Sequence, residues 1–194
     1  MRAATVARNT AETDIAITVN LDGTGQGEIA TGIGFFDHML ILWAKHGLFD
    51  LMVNAKGDLY VDGHHMVEDT GIVLGQVLAK ALGDKSGIKR YGTAFVPMDE
   101  ALVMVSLDIS GRPYLAFEAE IPAERIGEFD SQLVEEFLRA FVVHAGLTLH
   151  VRLMAGKNAH HIVEAIFKAL GRALDEATRQ DERIVGVMSS KGML

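Results

Sequence analysis

The sequence predicts an α+β fold of sheet-and-helix layers, built from one unit used twice. Three observations predict it. A seven-residue segment, Asp62-Gly63-His64-His65-Met66-Val67-Glu68, returns as Asn158-Ala159-His160-His161-Ile162-Val163-Glu164, 96 positions later (160 − 64). Each copy opens an apolar run of helical period, and each run is preceded by short alternating segments of strand period. Both halves read strand, strand, strand, helix, strand, helix, and layering sheet on helix buries the apolar face of each element.

Ala3–Arg8 reads as a short strand. Asp14–Asn20 is the clearest strand, with Ile15, Ile17 and Val19 on one face. Asp22-Gly23-Thr24-Gly25 is a turn cluster, and Gly27–Thr31 returns as the next strand. Phe35–His46 reads as a helix with Phe36, Met39, Leu40 and Trp43 on one side, and Gly47 is expected to end it as a left-handed cap. Asp50–Gly57 is strand-like. The helix His64–Leu82 buries Val67, Leu74, Leu78 and Leu82 and stops at Gly83. In the second half Tyr91–Pro97, Ala101–Ile109 and Tyr114–Ile121 read as strands. Asp130–Ala145 reads as a helix, Thr148–Leu153 as a strand and Asn158–Ala177 as the closing helix. No Pro/Ser-rich linker separates the halves, so residues 1–92 and 93–180 are expected as two packed repeats, not independent domains. Residues 181–194 form a polar tail, for which a frayed terminus is the expectation. Its Ser190-Lys191-Gly192 also offers a hydroxyl and an ammonium to a phosphate.

Composition narrows the function. The chain has 194 residues, enough for a sizeable core, and 49% of them are apolar, the proportion of a globular protein. No apolar run approaches the ~20 residues needed to span a bilayer, and Met1–Thr5 leads into strand-like sequence, not a signal-peptide core. Cys is absent, which excludes disulfides and thiolate metal sites and fits a cytoplasmic protein. The net charge of −8 argues against nucleic acid as a partner, yet leaves room for a small phosphorylated substrate held by local cations.

The doubled segment carries the chemistry. Asp62 and Asn158 are natural helix N-caps. Residues three and four apart share a helix face, so each Glu lies beneath its histidines. Imidazole and carboxylate are ligands for a divalent metal. One such copy would be unremarkable at a helix start; two in register use four of the chain's eight histidines. Adjacent side chains on a helix diverge by about 100°, so each copy feeds two metals. His38 is the best further ligand. Aligning His46-Gly47-Leu48 with His144-Ala145-Gly146-Leu147 puts Glu136 opposite His38 (136 − 38 = 98). His46, His144 and His150 read as structural or surface residues. Octahedral coordination by this set suits Mn²⁺, Fe²⁺ or Co²⁺; a tetrahedral site would suit Zn²⁺.

Taken together, Arg8-Asn9-Thr10-Ala11-Glu12-Thr13, Phe36-Asp37-His38-Met39-Leu40, the two His-His segments with Asp69, Asp108-Ile109-Ser110-Gly111-Arg112-Pro113, Gly156-Lys157 and Ser190-Lys191-Gly192 make the chain resemble the imidazoleglycerol-phosphate dehydratase family, in its monofunctional form, over essentially its whole length. The resemblance implies helices packed between two four-stranded sheets. It implies a homo-oligomer of 24 subunits with two Mn²⁺ per subunit, where neighbours meet. The implied metal ligands are His38, His64, His65, Glu68, His160, His161 and Glu164, with Glu136 at a position often held by histidine. Glu12 matches the acid/base that touches substrate. Arg90, Arg112, Lys168, Ser190 and Lys191 match residues that hold the substrate, mainly by its phosphate. The implied reaction removes water from D-erythro-imidazoleglycerol phosphate in histidine biosynthesis. The carbon that loses its proton has no neighbouring carbonyl, so the imidazole ring must carry the charge. A rival reading is a metal-storage or metal-dependent assembly module, which needs the His and Glu residues but not Glu12, Arg112 or Lys191.

Overall fold

A computed structural model describes residues 2–194. The first unit comprises β1 (Ala3–Asn9), β2 (Thr13–Asn20), β3 (Gly27–Ala30), α1 (Gly34–Gly47), β4 (Asp50–Gly57) and α2 (His64–Leu82). The second comprises β5 (Tyr91–Met98), β6 (Ala101–Asp108), β7 (Tyr114–Glu118), a short β8 (Arg125–Ile126) and β9 (Phe129–Asp130), α3 (Leu133–Ala145), β10 (Thr148–Ala155) and α4 (Ala159–Thr178). Each unit makes a mixed four-stranded sheet, ordered β1-β2-β4-β3 in one and β5-β6-β10-β7 in the other. In each, the third strand pairs in parallel with the strand that follows the intervening helix.

Alternation explains the strands. Ile15, Ile17 and Val19 are fully buried on one face of β2, and Val103, Val105 and Leu107 repeat this on β6. The helices then cross between the units: α2 packs on α3, and α1 on α4. The crossings are equivalent. A Cβ added at Gly75 would lie 2.6 Å from the Phe141 carbonyl oxygen and 2.9 Å from Ala145 N; at Gly171 it would lie 2.5 Å from the Trp43 oxygen and 3.0 Å from Gly47 N. The offsets are again 96 (171 − 75) and 98 (141 − 43, 145 − 47). The helix and sheet faces therefore bury in one continuous core, with Trp43, Phe36, Phe137 and Phe167 fully enclosed.

Three expectations are corrected. Gly47 is the last helical residue of α1, and the left-handed cap is Leu48, at φ 56°. Gly47 is small for another reason: a side chain there would strike the Phe49 ring at 2.5 Å and the Gly171 carbonyl at 3.1 Å. Helix α3 starts at Leu133, not Asp130, because Asp130 pairs with Arg125 in the β8–β9 hairpin. The tail is tethered where fraying was expected. Gln180 bridges to Ile88, Gly87 N–H donates to the Gly186 carbonyl, and Arg90 Nη1 donates to the Met188 carbonyl at 2.7 Å. Among the described residues no helix is long and apolar enough to cross a membrane.

Candidate metal and catalytic site

The N-terminal ends of α2 and α4 carry the two histidine pairs. Asn158 caps α4, its side chain accepting from the His160 and His161 N–H groups at 2.9 and 3.3 Å. At α2 the cap residue is Gly63, and Asp62 stands one place earlier, accepting only from His64 N–H at 2.8 Å. Adjacent rings diverge as helix geometry requires, with interplanar angles of 85° for His64/His65 and 82° for His160/His161. His64 and His160 line one open groove of about 1040 Å³, together with Phe35, Val61, Arg125 and Phe129.

The second-unit cluster is closed. Glu164 Oε1 lies 2.8 Å from His38 Nε2 and 3.2 Å from His160 Nε2, while Oε2 accepts from Lys168 Nζ at 2.7 Å. His38 thus arrives on α1 from the other unit, as the helix crossing dictates. His38, His160 and Glu164 bring one ligand atom each to within 4.8 Å of one another, the one such group among the described residues. Burial works to raise the Glu164 carboxyl. The hydrogen bonds from Lys168, His38 and His160 outweigh it and hold the group at about 2, so it is a carboxylate at neutral pH.

The first-unit cluster is open. His64 Nε2 and Glu68 Oε2 are 3.5 Å apart, and the Glu68 side chain is 46% exposed against 8% for Glu164. Two sequence differences account for this. The counterpart of Lys168 is Ile72 (168 − 96), which offers no charge, and the counterpart of His38 is Glu136, which cannot donate to another carboxylate. Glu136 is half-buried on α3, while its neighbour Glu135 pairs with Arg139 at 2.6 Å.

Each second histidine is held at its Nδ1. Asp58 Oδ2 lies 2.9 Å from His65 Nδ1, and Glu100 Oε2 lies 2.8 Å from His161 Nδ1. These contacts raise the pKa of both imidazoles. Glu100 in turn is drawn down to about 2, first by His161 and then by the backbone N–H groups of Asn158 and Lys157. Around Nε2, Glu12 lies 3.7 Å from His65 and Asp99 lies 3.8 Å from His161. Glu12 is fixed by its turn: Thr10 Oγ1 accepts from the Glu12 and Thr13 N–H groups, Thr13 Oγ1 donates to Asp69 at 2.5 Å, and Arg8 donates to the same buried carboxylate at 2.9 Å.

The remaining candidates lie elsewhere. Arg90 pairs with Asp108 at 2.6 Å and touches the tail through Met188; Gly111, next to Arg112, approaches Leu194. Ser190 and Lys191 sit in the exposed turn between Ser189 and Gly192. Lys168 is not with them; it is bound to Glu164 and to Met98 Sδ at 3.3 Å. His46, His144 and His150 join neither cluster: His144 contacts the Ala140 carbonyl, and His150 faces Tyr114. Asp58, Asp99 and Glu100 went unseen in the sequence, and Asp69 entered only as part of the resemblance. The partners of Asp69, Asp99 and Glu100 lie 56 to 62 positions away (69 − 13, 161 − 99), and no motif spacing links Asp58 to His65.

A fold of two sheets enclosing crossed helices, with imidazole–carboxylate clusters at the helix starts, is that of a hydro-lyase family among known proteins. A family model described as imidazoleglycerol-phosphate dehydratase matches residues 31–174. The imidazoleglycerol-phosphate dehydratase of Acetivibrio thermocellus is 64% identical over 189 residues, covering 97% of both chains. That of Thermoanaerobacter pseudethanolicus is 64% identical over 194 residues, the whole of both. The crystal structure of the Staphylococcus aureus protein of that name superposes with a TM-score of 0.84 at 45% identity, covering 92% of this chain and 99% of that one. The Pyrococcus furiosus structure gives 0.85 at 40%, covering 97% and 100%. The chain belongs to the imidazoleglycerol-phosphate dehydratase family and is a hydro-lyase. The stretch matched by the family model holds all eight candidate metal ligands, and the full-length relatives extend the match to Glu12, Ser190 and Lys191.

Proposed function

We propose that this chain dehydrates D-erythro-imidazoleglycerol phosphate to imidazole-acetol phosphate in histidine biosynthesis, as a cytoplasmic enzyme holding two divalent cations, Mn²⁺, per subunit. The observation that carries the reading is the convergence of His38, His160 and Glu164 within 4.8 Å at the start of α4, repeated in pattern at the start of α2. The donor set fits a divalent ion: imidazoles and carboxylates, Glu164 among them already ionised, and no thiolate. His38, His160 and Glu164 would hold one ion with His65, and Glu136, His64 and Glu68 the other with His161. Such ions act as Lewis acids on the substrate's ring nitrogens.

The chain's own residues supply the rest. Glu12 would take the proton from the side-chain carbon, a reading supported by its half-exposed carboxylate 3.7 Å from His65 Nε2. The substrate's hydroxyl leaves as water, and the enol that remains becomes the ketone. Arg90, Arg112, Ser190 and Lys191 gather at the tail and would grip the phosphate, fixing the reacting carbons. Lys168, apart from the tail, neutralises Glu164 at the start of α4 and would meet the substrate there.

These groups cannot meet within one subunit. Arg90 N–H bonds the Ala177 carbonyl at the far end of α4. His160 stands at the near end, 17 residues earlier (177 − 160), or about 25 Å along the helix. The small substrate is far shorter than that. A complete site therefore joins the helix starts of one copy to the tail of another, which supports a homo-oligomer, the 24-mer of the family resemblance. The test is turnover by the purified protein before and after chelation and with Mn²⁺ restored. Activity that disappears and returns is expected. Full activity in the stripped protein would remove metal from the mechanism, and no activity with any metal would favour storage.

A further inference from the structure

Two carboxylates outside the ligand set touch the pseudo-equivalent histidines in the same manner. Asp58 Oδ2 meets His65 Nδ1 at 2.9 Å, and Glu100 Oε2 meets His161 Nδ1 at 2.8 Å. A carboxylate only accepts, so each Nδ1 carries the hydrogen and each Nε2 is left with a bare lone pair. Repeat symmetry does not explain the match. The 96-residue offset takes Asp58 to Met154, and Glu100, last residue of the β5–β6 turn, corresponds by topology to Glu12, last residue of the β1–β2 turn. The same contact thus arises from the β4–α2 loop in one unit and from a hairpin turn in the other. His64 and His160 have no such Nδ1 partner among the described residues.

We infer that Asp58 and Glu100 are positioning residues that fix His65 and His161 as Nε2 donors toward a divalent cation. The inference rests on the metal-dependent reading above and deepens it. A hydrogen bond at one ring nitrogen sets the tautomer and the ring orientation and raises the basicity of the other. Glu100 has a second task, because its Oε1 accepts from the Lys157 and Asn158 N–H groups at 3.1 and 2.7 Å. It ties the loop before α4 to the imidazole that follows.

Glu100→Gln separates the two tasks. Its amide oxygen still accepts from the loop N–H groups, while its NH₂ faces Nδ1 and can only donate. Asp58→Asn does the same at His65. Histidine-labelled, metal-free protein is examined by ¹⁵N solid-state NMR at rising pH until the imidazolium signals are gone, and Mn²⁺ affinity is measured by titration calorimetry. In the parent protein His65 and His161 are expected as Nδ1–H tautomers, beside His144, whose Nδ1 lies 2.9 Å from the Ala140 carbonyl and serves as the unchanged reference. Each variant should convert one of the pair to Nε2–H and weaken Mn²⁺ binding at one site by about 10–100-fold, with an unchanged melting temperature. Nε2–H at both positions in the parent, or parental Mn²⁺ affinity in both variants, would overturn the inference. A parent that binds no Mn²⁺ while showing both Nδ1–H tautomers would instead sink the metal reading and the orienting role with it. Loss of Mn²⁺ binding accompanied by a lowered melting temperature and an unconverted tautomer would reduce Glu100 to a loop cap.

Discussion

Glu164 shows how a single carboxylate collects a site. It is nearly buried, which alone would cost several kcal/mol for an unpaired charge, and it is met by His38, His160 and Lys168. Three donors on two oxygens leave it ionised and oriented before any cation arrives. Glu12 is the opposite case: exposed, and held by its backbone turn, not by its side chain. That freedom suits a group that moves a proton. Glu12→Gln keeps the shape and removes the base, so kcat should fall by about 10²–10⁴-fold while the metal content stays at the parental value. Near-parental kcat would take the proton transfer away from Glu12. At this scale the sequence was informative where chemistry repeats, as in the two His-His-x-x-Glu segments. It was silent where partners converge only in space. Asp69 holds the Glu12 turn from α2, and nothing in the order of residues connects positions 13 and 69.

The elements carry the symmetry. The two crossings, α2 on α3 and α4 on α1, share the offsets 96 and 98 at backbone resolution. By that symmetry Glu136 on α3 is the counterpart of His38 on α1, and we expect it to complete the set of His64 and Glu68. Glu136→Ala should leave one Mn²⁺ of two per subunit, and Glu136→His should restore the second; metal analysis with anomalous scattering checks both. Full occupancy in Glu136→Ala would make the crossing irrelevant to binding. The crossing itself is testable through Gly171→Ala. The new methyl would press on the Trp43 carbonyl from 2.5 Å, and we expect a loss of about 1–3 kcal/mol, read by denaturant unfolding. Helices and strands were legible because amphipathic periods of 3.6 and 2 are written in successive residues. The β8–β9 hairpin was not, since strands of two residues have no period. Gly47 misled for a related reason: glycine marks both a left-handed cap and a close helix contact, and the sequence does not distinguish them.

For the whole molecule, the separation of functions along α4 makes a prediction. His160 stands at one end and Arg90 at the other, so a Glu12→Gln copy and a Lys191→Ala copy are each expected to be deficient alone. Co-expressed, they should form mixed assemblies in which some sites draw Glu12 from one copy and Lys191 from the other. Recovery of up to about a quarter of parental activity is expected if copies mix at random. No recovery in assemblies shown to be mixed would place both residues in one subunit's site. The exposed apolar side chains Tyr60, Val61 and Val185 lie on the loop before α2 and on the tail, the two regions such an assembly must bring together.

The crossed packing also bears on how the chain is made. During synthesis α1 and α2 leave the ribosome long before α3 and α4 exist. At about 5–20 residues per second, the 96 residues from the end of α2 to the end of α4 (178 − 82) take roughly 5–20 s. Throughout that interval the nascent first half bears bare helix faces, including those around Gly75 and Trp43, that only the second half can cover. Joining both units in one polypeptide turns their meeting from an encounter between molecules into a closure within one, at an effective concentration no pair of free halves could reach in a cell.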